Sequence, residues 1–270
     1  MHLLPVLRVC KPEWLACLHT GGNGSHIMGG QGGSLPCWVA ELGERVILKH
    51  YRRQRDYELE AAVLPQLAGH PHIIEALCGD AQRRLILLEE GVDGDLTHSL
   101  GDLKESDLPM LVKQLVQAVA AVHERGWVHM DVKPENVVRR GPHLKLIDFG
   151  LVMSVEAIEP ERGTAHTMAP EVLPRAVHRP RQLGYALDWW SLGVTIFYLA
   201  QRLHPNCSPR SHHGGYPYRL TRDWRLQWAP EKPVCFSPEL IELLYGHLLV
   251  MDPAKRTANA TSILSLPFFK

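Results

Sequence analysis

The sequence predicts an α+β fold with two lobes, a small β-rich N-terminal lobe at about residues 25–91 and a larger α-helical C-terminal lobe at about residues 92–270. In the first third, short runs rich in β-branched residues alternate with turn residues. Beyond residue 92, long segments with helical periodicity dominate. The 270 residues suffice for a sizeable core, and residues 1–270 are expected to form a single domain. A ligand site is expected in the cleft between the lobes.

Three strands and one helix are predicted in the small lobe. Residues 37–51 predict two strands joined by a turn at Gly43–Glu44, because apolar and β-branched residues lie on both sides of it. Residues 55–69 have helical periodicity and end near a glycine, with Pro65 in an unfavourable position inside. Residues 83–90, "RRLILLEE", predict a further strand.

Helices account for most of the predicted large lobe. Residues 106–126 have an amphipathic pattern, with Ser106 as the expected N-cap and Gly126 as the expected end. The other predicted elements are a short strand over 143–150 and helices over 186–202 and 237–251.

The charge balance argues against a polyanion as the main partner. Lys and Arg number 29, and Asp and Glu also number 29, so the formal net charge is zero. Proteins that bind nucleic acid through its phosphates usually carry an excess of positive charge. No nucleic-acid partner is therefore expected.

Cysteine spacing and hydropathy predict an intracellular protein. The six cysteines form no C-x-x-C pair, so reduced, buried thiols are expected rather than a disulfide framework. The N-terminal "MHLLPVLRVC" lacks the basic leading segment of a signal peptide. The longest apolar run is shorter than the ~20 residues of a membrane-spanning helix, so no membrane partner is expected. The expected location is the cytoplasm, the nucleus or both, within a host cell if the chain is viral.

The segment "VHMDVKPENVV", residues 128–138, interrupts an apolar stretch with Asp131, Lys133 and Asn136. A surface turn would explain these residue types, because Asp, Asn and Pro are common in turns. The context favours chemistry instead. A predicted helix precedes the segment, and a predicted strand that ends in D-F-G at Asp148 follows it.

In this order and spacing, the motifs resemble those of the eukaryotic-type serine/threonine protein kinase family, from about Gly30 to Phe269. The "D-x-K-P-E-N" form resembles Ser/Thr kinases rather than Tyr kinases. The resemblance implies a bilobal protein-kinase-like fold that transfers the γ-phosphoryl group of ATP to Ser/Thr hydroxyls of protein substrates. It also implies ATP and Mg²⁺ (or Mn²⁺) as cofactors, and a monomer is expected.

The resemblance assigns roles to the polar residues of the segment. Phosphoryl transfer requires that the phosphates be held, that Mg²⁺ neutralise their charge and that the attacking hydroxyl be aligned. Asp131 is the implied acceptor of the hydroxyl proton, and Lys133 can reach the transferring phosphate. Asn136 and Asp148 are the implied metal ligands, since both offer the hard oxygen donors that Mg²⁺ prefers.

In the small lobe, the resemblance implies that Lys49 of "VILK" binds the α- and β-phosphates and forms an ion pair with a glutamate of the helix. Glu58 and Glu60 are the two candidates. Glu60 is the expected partner, because its distance to "GHPHII" agrees with kinases that carry the same Gly-His-Pro turn.

The segment "LLEEGVDGDL" resembles the hinge between kinase lobes. The resemblance places Leu88 at the gate of the nucleotide pocket. The backbone of Glu89 to Gly91 is expected to bond adenine, and Asp95 is expected near the ribose.

The phosphate-covering loop is the least regular part of the resemblance. Residues 30–35 fit the spacing to Lys49, although Leu35 stands where the family has a third glycine, and the stretch Gly21–Ile27 competes for the role. Glycine matters here because backbone amides must approach phosphate closely. The implied cofactor-binding residues are Gly30, Gly32, Gly33 and Cys37.

The large lobe has further family features. In "GTAHTMAPE", Thr164 is expected to bridge the catalytic Asp and Lys. Glu171 is expected to pair with Arg256, and Asp188 is expected to brace the catalytic segment by backbone hydrogen bonds. These three contacts are scaffold predictions rather than roles in the reaction.

Two substitutions depart from the family pattern. Ile47 replaces the usual small residue two positions before the lysine, which predicts a narrower adenine pocket. Met130 replaces the arginine that commonly precedes the catalytic Asp and binds a phosphorylated loop. We therefore expect a loop that takes its working shape without phosphate.

Three functions remain open at the level of sequence. The first is an active Ser/Thr protein kinase, for which the retained Lys49, Asp131, Asn136 and Asp148 argue. The alternative is a pseudokinase scaffold that binds nucleotide or partners without phosphoryl transfer, for which the altered glycine segment argues. A small-molecule phosphotransferase is the third, and the "APE" and "DWWSLG" segments argue against it.

Overall fold

A small β-sheet lobe and a larger helical lobe make up the structure, as the sequence predicts. The computed structural model describes residues 32–39, 44–98, 100, 103–159, 162–173, 183–204, 216–220, 226–228, 235–257 and 259–270. Gly30, a predicted phosphate-contacting residue, and the competing stretch 21–27 lie outside these described residues.

A four-stranded antiparallel sheet forms the small lobe, in the order β1-β2-β4-β3. Its strands are β1 Gly32–Val39, β2 Glu44–Tyr51, β3 Ala76–Asp80 and β4 Leu85–Glu89. Successive side chains of a strand point to opposite faces. On β2, Ile47 and Tyr51 join the main core, whereas Val46 and Leu48 pack in a second apolar cluster. Lys49 therefore shares the face of Ile47 and Tyr51.

The helix of the small lobe, α1, spans Gln54–Val63 and is shorter than predicted. A 3-10 turn, Leu64–Leu67, continues it and holds Pro65 near its start. Proline has no N–H and restrains the residue before it, so α-helical hydrogen bonding stops there. Tyr57 and Glu60, three residues apart on α1, are buried. One face of α1 thus packs on the lobe.

Helices form the frame of the large lobe, and their ranges agree broadly with the sequence prediction. They are α2 Leu108–Glu124, α3 Ala186–Leu203, α4 Pro238–Ile241 with a π-helical continuation Glu242–Leu248, and α5 Ala260–Leu264. No helix among the residues that the structure describes is long and apolar enough to cross a membrane.

The start of α2 corrects the sequence prediction. Ser106 is not the N-cap, because it lies inside a 3-10 turn over Glu105–Asp107. The Asp107 carboxylate accepts a hydrogen bond from the Lys104 backbone N–H at 2.8 Å, which fixes this turn. The predicted end is confirmed, because Gly126 follows α2 with φ 78°, a left-handed conformation that favours glycine.

Short antiparallel strand pairs lie between the helices of the described large lobe. They are β5 Trp127–Val128 with β8 Met153–Ser154, β6 Val137–Arg140 with β7 His143–Leu146, and β9 Tyr218–Leu220 with β10 Leu226–Trp228. β5 and β6 flank the predicted catalytic segment, and a 3-10 turn over Pro134–Asn136 lies between them. The segment is therefore anchored at both ends.

Helix α3 lies at the centre of the core of the large lobe. Trp189, Trp190 and Phe197 have no exposed surface. A helix that is apolar on nearly all sides has to be buried. Asp188, in the first turn of α3, is also completely buried, so its charge needs partners inside the protein.

Two cysteines depart from the sequence prediction. Cys78, in β3, and Cys235, just before α4, are disulfide-bonded. The expectation of reduced thiols is wrong at these two positions. The absence of C-x-x-C spacing excludes a local motif only, since it does not report which cysteines meet in the folded chain.

The two lobes meet along β7. The N–H of Ile74 donates to the carbonyl of Leu146 at 3.0 Å. The Glu89 carboxylate, at the end of β4, lies 2.5 Å from Lys145 Nζ and 3.1 Å from Arg140 Nη1. These contacts attach the hinge end of the cleft to the large lobe.

The predicted ion pair between Glu171 and Arg256 is confirmed. Two parallel bonds join them, Nη1 to Oε1 at 2.7 Å and Nη2 to Oε2 at 3.0 Å. Both side chains are completely buried. Arg256 also donates to the carbonyls of Ala186 and Val250 and lies 5.0 Å from the ring centroid of Trp190. This fork geometry satisfies most of the guanidinium donors.

Glu171→Gln is expected to lower the free energy of unfolding by about 3 kcal/mol, because it leaves the Arg256 charge buried without a counter-charge. Urea denaturation at neutral pH measures this loss. The matched control is Arg83→Gln, which breaks a pair with Asp80 in which the arginine is 62% exposed, and less than about 1 kcal/mol is expected there. Equal losses in the two variants would contradict the prediction.

Candidate active site

The segment that carries Asp131 is fixed through its backbone. The Asp188 carboxylate accepts a hydrogen bond from the N–H of His129 at 2.7 Å and another from the N–H of Met130 at 2.9 Å. Met130 has φ 69°, a conformation uncommon for a residue with a side chain. The predicted brace is therefore confirmed, and it holds the backbone immediately before the carboxylate of Asp131.

His123 stabilises the buried negative charge of Asp188. His123 Nε2 lies 2.9 Å from Asp188 Oδ2, and the His123 ring packs between the rings of Tyr185 and Trp189. Burial acts to raise the pKa of Asp188, but the hydrogen bond and charge of His123, with His129, outweigh it and lower the pKa. Asp188 therefore stays an ionised acceptor.

Three side chains hold the Asp131 carboxylate, which is only 5% exposed. Thr164 Oγ1 donates to Oδ1 at 2.6 Å, Lys133 Nζ lies 2.8 Å from Oδ2, and Asn136 Nδ2 donates to Oδ2 at 3.0 Å. Lys133 Nζ also donates to Thr164 Oγ1 at 2.8 Å. The predicted bridge through Thr164 is confirmed, and it orients the carboxylate.

Gly163 places Thr164 against this carboxylate, and the sequence analysis missed it. Its φ is 118°, and a Cβ there would lie 2.6 Å from the Met130 carbonyl oxygen. Only glycine fits both the conformation and the close approach. The available signal was the glycine directly before Thr164 in "GTAHTMAPE".

Lys49 joins the two lobes at the cleft. Its Nζ lies 2.8 Å from Glu60 Oε2 and 2.8 Å from Asp148 Oδ1. The predicted contact with Glu60 forms, whereas Glu58 is exposed and bonds Gln54. Burial alone would lower the pKa of Lys49, but the Glu60 and Asp148 carboxylates more than offset it and raise the pKa. Lys49 is therefore a permanent cation here.

Phe149 and Glu60 position the D-F-G segment. The Phe149 N–H donates to Glu60 Oε1 at 3.2 Å, and its fully buried ring lies 4.9 Å from the ring of His129. His129 Nε2 in turn lies 3.1 Å from the Ile147 carbonyl. These contacts connect α1, the D-F-G segment and the segment of Asp131, so the polar residues of both lobes are set relative to one another.

Asn136 and Asp148 fit the donor set of a magnesium site. Asp148 has φ 62° and uses Oδ1 for Lys49 and for the Gly150 N–H. Its side chain is 48% exposed, and within the described chain neither Asp148 Oδ2 nor Asn136 Oδ1 makes a hydrogen bond. Mg²⁺ is commonly held by one or two protein oxygens together with substrate phosphates and waters. The residues that the structure describes contain no group of three or more His, Cys, Asp or Glu suited to a metal ion.

Comparison with known proteins identifies the family. The protein kinase domain family matches residues 28–269. The chain belongs to the protein kinase family. Protein kinase domains use ATP and a divalent metal ion in general.

Three curated relatives show the extent of the similarity. Citron rho-interacting kinase of Rattus norvegicus is 35% identical over 86% of this chain and 12% of the relative. CBL-interacting protein kinase 29 of Oryza sativa subsp. japonica is 31% identical over 81% of this chain and 48% of the relative. Ribosomal protein S6 kinase alpha-4 of Mus musculus is 30% identical over 85% of this chain and 30% of the relative. The kinase domain described here spans less than half the length of each.

The hinge of the kinase domain is tightly packed. Gly91 lies so close to Val138 of β6 that a Cβ at this position would overlap the valine side chain. The Glu89 N–H donates to the Glu75 carbonyl at 3.0 Å, so it is engaged inside the small lobe. Adenine contacts at Glu89 and Gly91 stay a prediction.

Asp95, the residue expected near the ribose, is partly engaged in a local turn. Its carboxylate accepts hydrogen bonds from the N–H groups of Thr97 at 2.8 Å and His98 at 3.1 Å, and from the Thr97 hydroxyl. Burial acts to raise its pKa, but these hydrogen bonds outweigh it and lower the pKa. A ribose hydroxyl would therefore have to bond the Asp95 carboxylate alongside the hydrogen bonds of this turn.

The described part of the predicted phosphate-covering segment is strand rather than loop. Gly32 and Gly33 lie in β1 opposite Tyr51 and His50, and Ser34 lies opposite Lys49. Cys37 lies farther along β1, opposite Val46. A contact between these residues and phosphate stays a prediction.

Gly163→Ala is expected to lower the free energy of unfolding by about 2–3 kcal/mol, because it combines backbone strain with overlap of the Met130 carbonyl. Gly141→Ala is the matched control, since Gly141 has φ 62° but open space around its Cβ position. About 1 kcal/mol is expected for the control, from the left-handed conformation alone. Thermal and urea unfolding compare the two variants, and equal losses would show that the close approach at Gly163 is unimportant.

Proposed function

We propose that this kinase domain is catalytically active and transfers the γ-phosphoryl group of ATP to serine or threonine hydroxyls of protein substrates. The observation that carries the proposal is the connected polar network of the cleft among the residues that the structure describes. The Asp131 carboxylate has one fixed orientation, and Lys49, Glu60 and Asp148 are in mutual contact. This arrangement provides the positioning and charge that phosphoryl transfer requires, and it supports transfer over a scaffold role.

The proposed mechanism relies on positioning and on charge. Asp131 accepts the proton of the attacking hydroxyl, since its carboxylate is held by Thr164 and Asn136. Lys133, bonded to both Asp131 and Thr164, stabilises negative charge on the transferring phosphoryl group. Lys49 holds the α- and β-phosphates.

Magnesium fits this mechanism at Asn136 and Asp148. When bound, Mg²⁺ neutralises phosphate charge and lowers the barrier to in-line attack. Asn136 and Asp148 would hold the ion through the oxygens that make no hydrogen bond within the described chain. Asp148 keeps its other oxygen on Lys49 at 2.8 Å, so this residue would connect the metal to the phosphate-binding lysine.

Protein hydroxyls are favoured as acceptors by the scaffold around the site. The Lys133–Thr164 contact follows the "D-x-K-P-E-N" pattern that resembles Ser/Thr kinases. The Glu171–Arg256 pair and the Asp188 brace belong to the part of the fold that carries protein substrates in the family, which argues against a small-molecule phosphotransferase. The relatives that are named as protein kinases support the same acceptor class.

One assay separates an active protein kinase from the pseudokinase alternative. The purified chain is incubated with radiolabelled ATP and Mg²⁺, with a generic basic protein and with buffer alone. Transfer to the protein supports the proposal. Nucleotide binding without transfer would instead indicate the pseudokinase alternative, which the irregular glycine segment favours.

Asp131→Asn is expected to reduce kcat for transfer by roughly 10²–10⁴-fold, because the side chain keeps its size but loses its basicity. Circular dichroism and nucleotide binding should stay close to those of the parent. If the variant kept its rate within about tenfold of the parent, Asp131 would not be the proton acceptor.

The domain is expected to be active without phosphorylation of its loop. Met130 is 7% exposed and packs in the main apolar core, so no cation there awaits a phosphate. Thr164 is already bonded to Asp131 and Thr167 is 2% exposed. Phosphatase-treated protein, verified by mass spectrometry, should keep most of its activity. A loss of about a hundredfold, or ~2.7 kcal/mol of barrier, would contradict this.

A further inference from the structure

Three of the four asparagines of the chain lie in the same tripeptide pattern. Asn23, Asn206 and Asn259 each precede a serine or threonine by two positions, in "NGS", "NCS" and "NAT". The fourth, Asn136, is the proposed metal ligand. Serine and threonine number 19 among the 270 residues, so four asparagines would form fewer than one such pattern by chance. N-x-S/T, in which x is any residue except proline, is the acceptor pattern for N-linked glycans.

Asn259 is the candidate acceptor whose surroundings the structure describes, whereas Asn23 and Asn206 lie outside the described residues. Asn259 and Thr261 are both exposed. Ile263, two residues farther along α5, is completely buried in the core. The start of α5 therefore presents the acceptor asparagine and the hydroxyl residue of the pattern to solvent.

The hydrogen bonding of Asn259 leaves its amide nitrogen available. Its Oδ1 accepts a hydrogen bond from the Ser262 N–H at 2.8 Å and so caps α5. Its Nδ2 makes no hydrogen bond within the described chain. An N-linked glycan replaces one hydrogen of Nδ2 and leaves Oδ1 in place, so the cap and the glycan are compatible. Capping explains an asparagine at position 259, but it explains neither the hydroxyl at position 261 nor the two other patterns.

The disulfide-bonded cysteines independently indicate an oxidising compartment. Cys78 is completely buried in the second apolar cluster of the small lobe, whereas Cys235 packs against the main core. Bonded cysteines have Cβ atoms only about 3.8 Å apart, so Cys78 and Cys235 belong to two separate disulfide bonds. Disulfides form and persist in the secretory pathway and outside the cell, and they are rare in the reducing cytosol.

A glycan at Asn259 is compatible with the candidate active site. α5 packs against α2, whereas the residues of the site come from β2, α1, the segment of Asp131 and the D-F-G segment. A glycan is bulky and solubilising. At this position it covers surface of the large lobe rather than an element that carries a catalytic residue.

We propose that this kinase domain folds in an oxidising and glycosylating compartment of the secretory pathway, and that Asn259 carries an N-linked glycan. The disulfide bonds and the three acceptor patterns are chemically unrelated, and both are explained by this one location. The location differs from the cytoplasm or nucleus that the cysteine spacing and the N-terminal segment predict. The proposal does not depend on whether the domain transfers phosphate.

The modification requires a co-reactant of that compartment, an oligosaccharide linked to a polyprenyl diphosphate. A bond forms between Asn259 Nδ2 and C1 of the first sugar, and the bond between C1 and a diphosphate oxygen breaks. The polyprenyl diphosphate leaves with the electron pair of that bond, and Nδ2 gives up one proton. No residue of the chain is oxidised or reduced in this step.

Mass spectrometry of the full chain, produced in cultured eukaryotic cells, tests the glycan. Treatment with peptide N-glycosidase in heavy-oxygen water converts a glycosylated asparagine to a labelled aspartate. We expect the label at Asn259 and none at Asn136, which is buried and lies in no N-x-S/T pattern. An unlabelled Asn259 would overturn the proposal.

Matched variants separate the glycan from the cap. Thr261→Ala should abolish the label at Asn259, whereas Thr261→Ser keeps the hydroxyl and should retain it. Asn259→Ser removes the acceptor and keeps a capping residue, so its melting temperature should equal that of the enzymatically deglycosylated parent. A label that persists in Thr261→Ala would overturn the N-x-S/T pattern as its cause.

Thiol labelling tests the compartment separately. The same protein is denatured and alkylated before reduction with one reagent, and after reduction with a second reagent of different mass. Cys78 and Cys235 should carry only the second reagent. The first reagent on both cysteines would overturn the oxidising compartment. Asp131→Asn protein should show the same glycan and the same thiol labels, so a failure of phosphoryl transfer is distinguished from a failure of this proposal.

Discussion

The active-site geometry depends on the hydrogen bonds that the buried Asp188 carboxylate accepts. Inside the core of the large lobe, it accepts hydrogen bonds from the N–H groups of His129 and Met130. A carboxylate there would be very costly without partners, and the catalytic segment supplies two of them while His123 supplies a third. The core helix and the catalytic segment therefore stabilise each other, and the position of Asp131 follows from the packing of α3.

Two further attachments complete the site from opposite directions. In the large lobe, Gly163 lies against the backbone carbonyl of Met130. This close approach places Thr164 where it donates to Asp131. From the small lobe, Lys49 reaches Asp148, which directly precedes Phe149 and its contact with the catalytic segment. Charged contacts and backbone hydrogen bonds thus connect the polar residues of the cleft, whereas apolar packing stabilises each lobe.

Local patterns predicted the lobes and the principal helices, whereas the resemblance to protein kinases implied the contacts of Asp188, Thr164 and Glu171. Features that depend on residues distant in sequence were not predictable in the same way. The disulfide bonds of Cys78 and Cys235 depend on which side chains meet in three dimensions. The close approach of Gly163 to the Met130 carbonyl depends on the packing of two distant segments rather than on any motif.

The attachment of Glu89 to the large lobe has a consequence for motion. Both cations that contact this hinge carboxylate, Lys145 and Arg140, come from the β6–β7 pair, and the side chains of Lys145 and Glu89 are only 13% and 11% exposed. Dissolved ions screen such a shielded pair weakly, whereas they screen exposed charges strongly. Changes in ionic strength should therefore leave the Lys145–Glu89 pair intact and act instead on the contact of Arg140, whose side chain is 38% exposed. One carboxylate at the junction of the lobes thus takes part in a salt-insensitive and a salt-responsive ion pair.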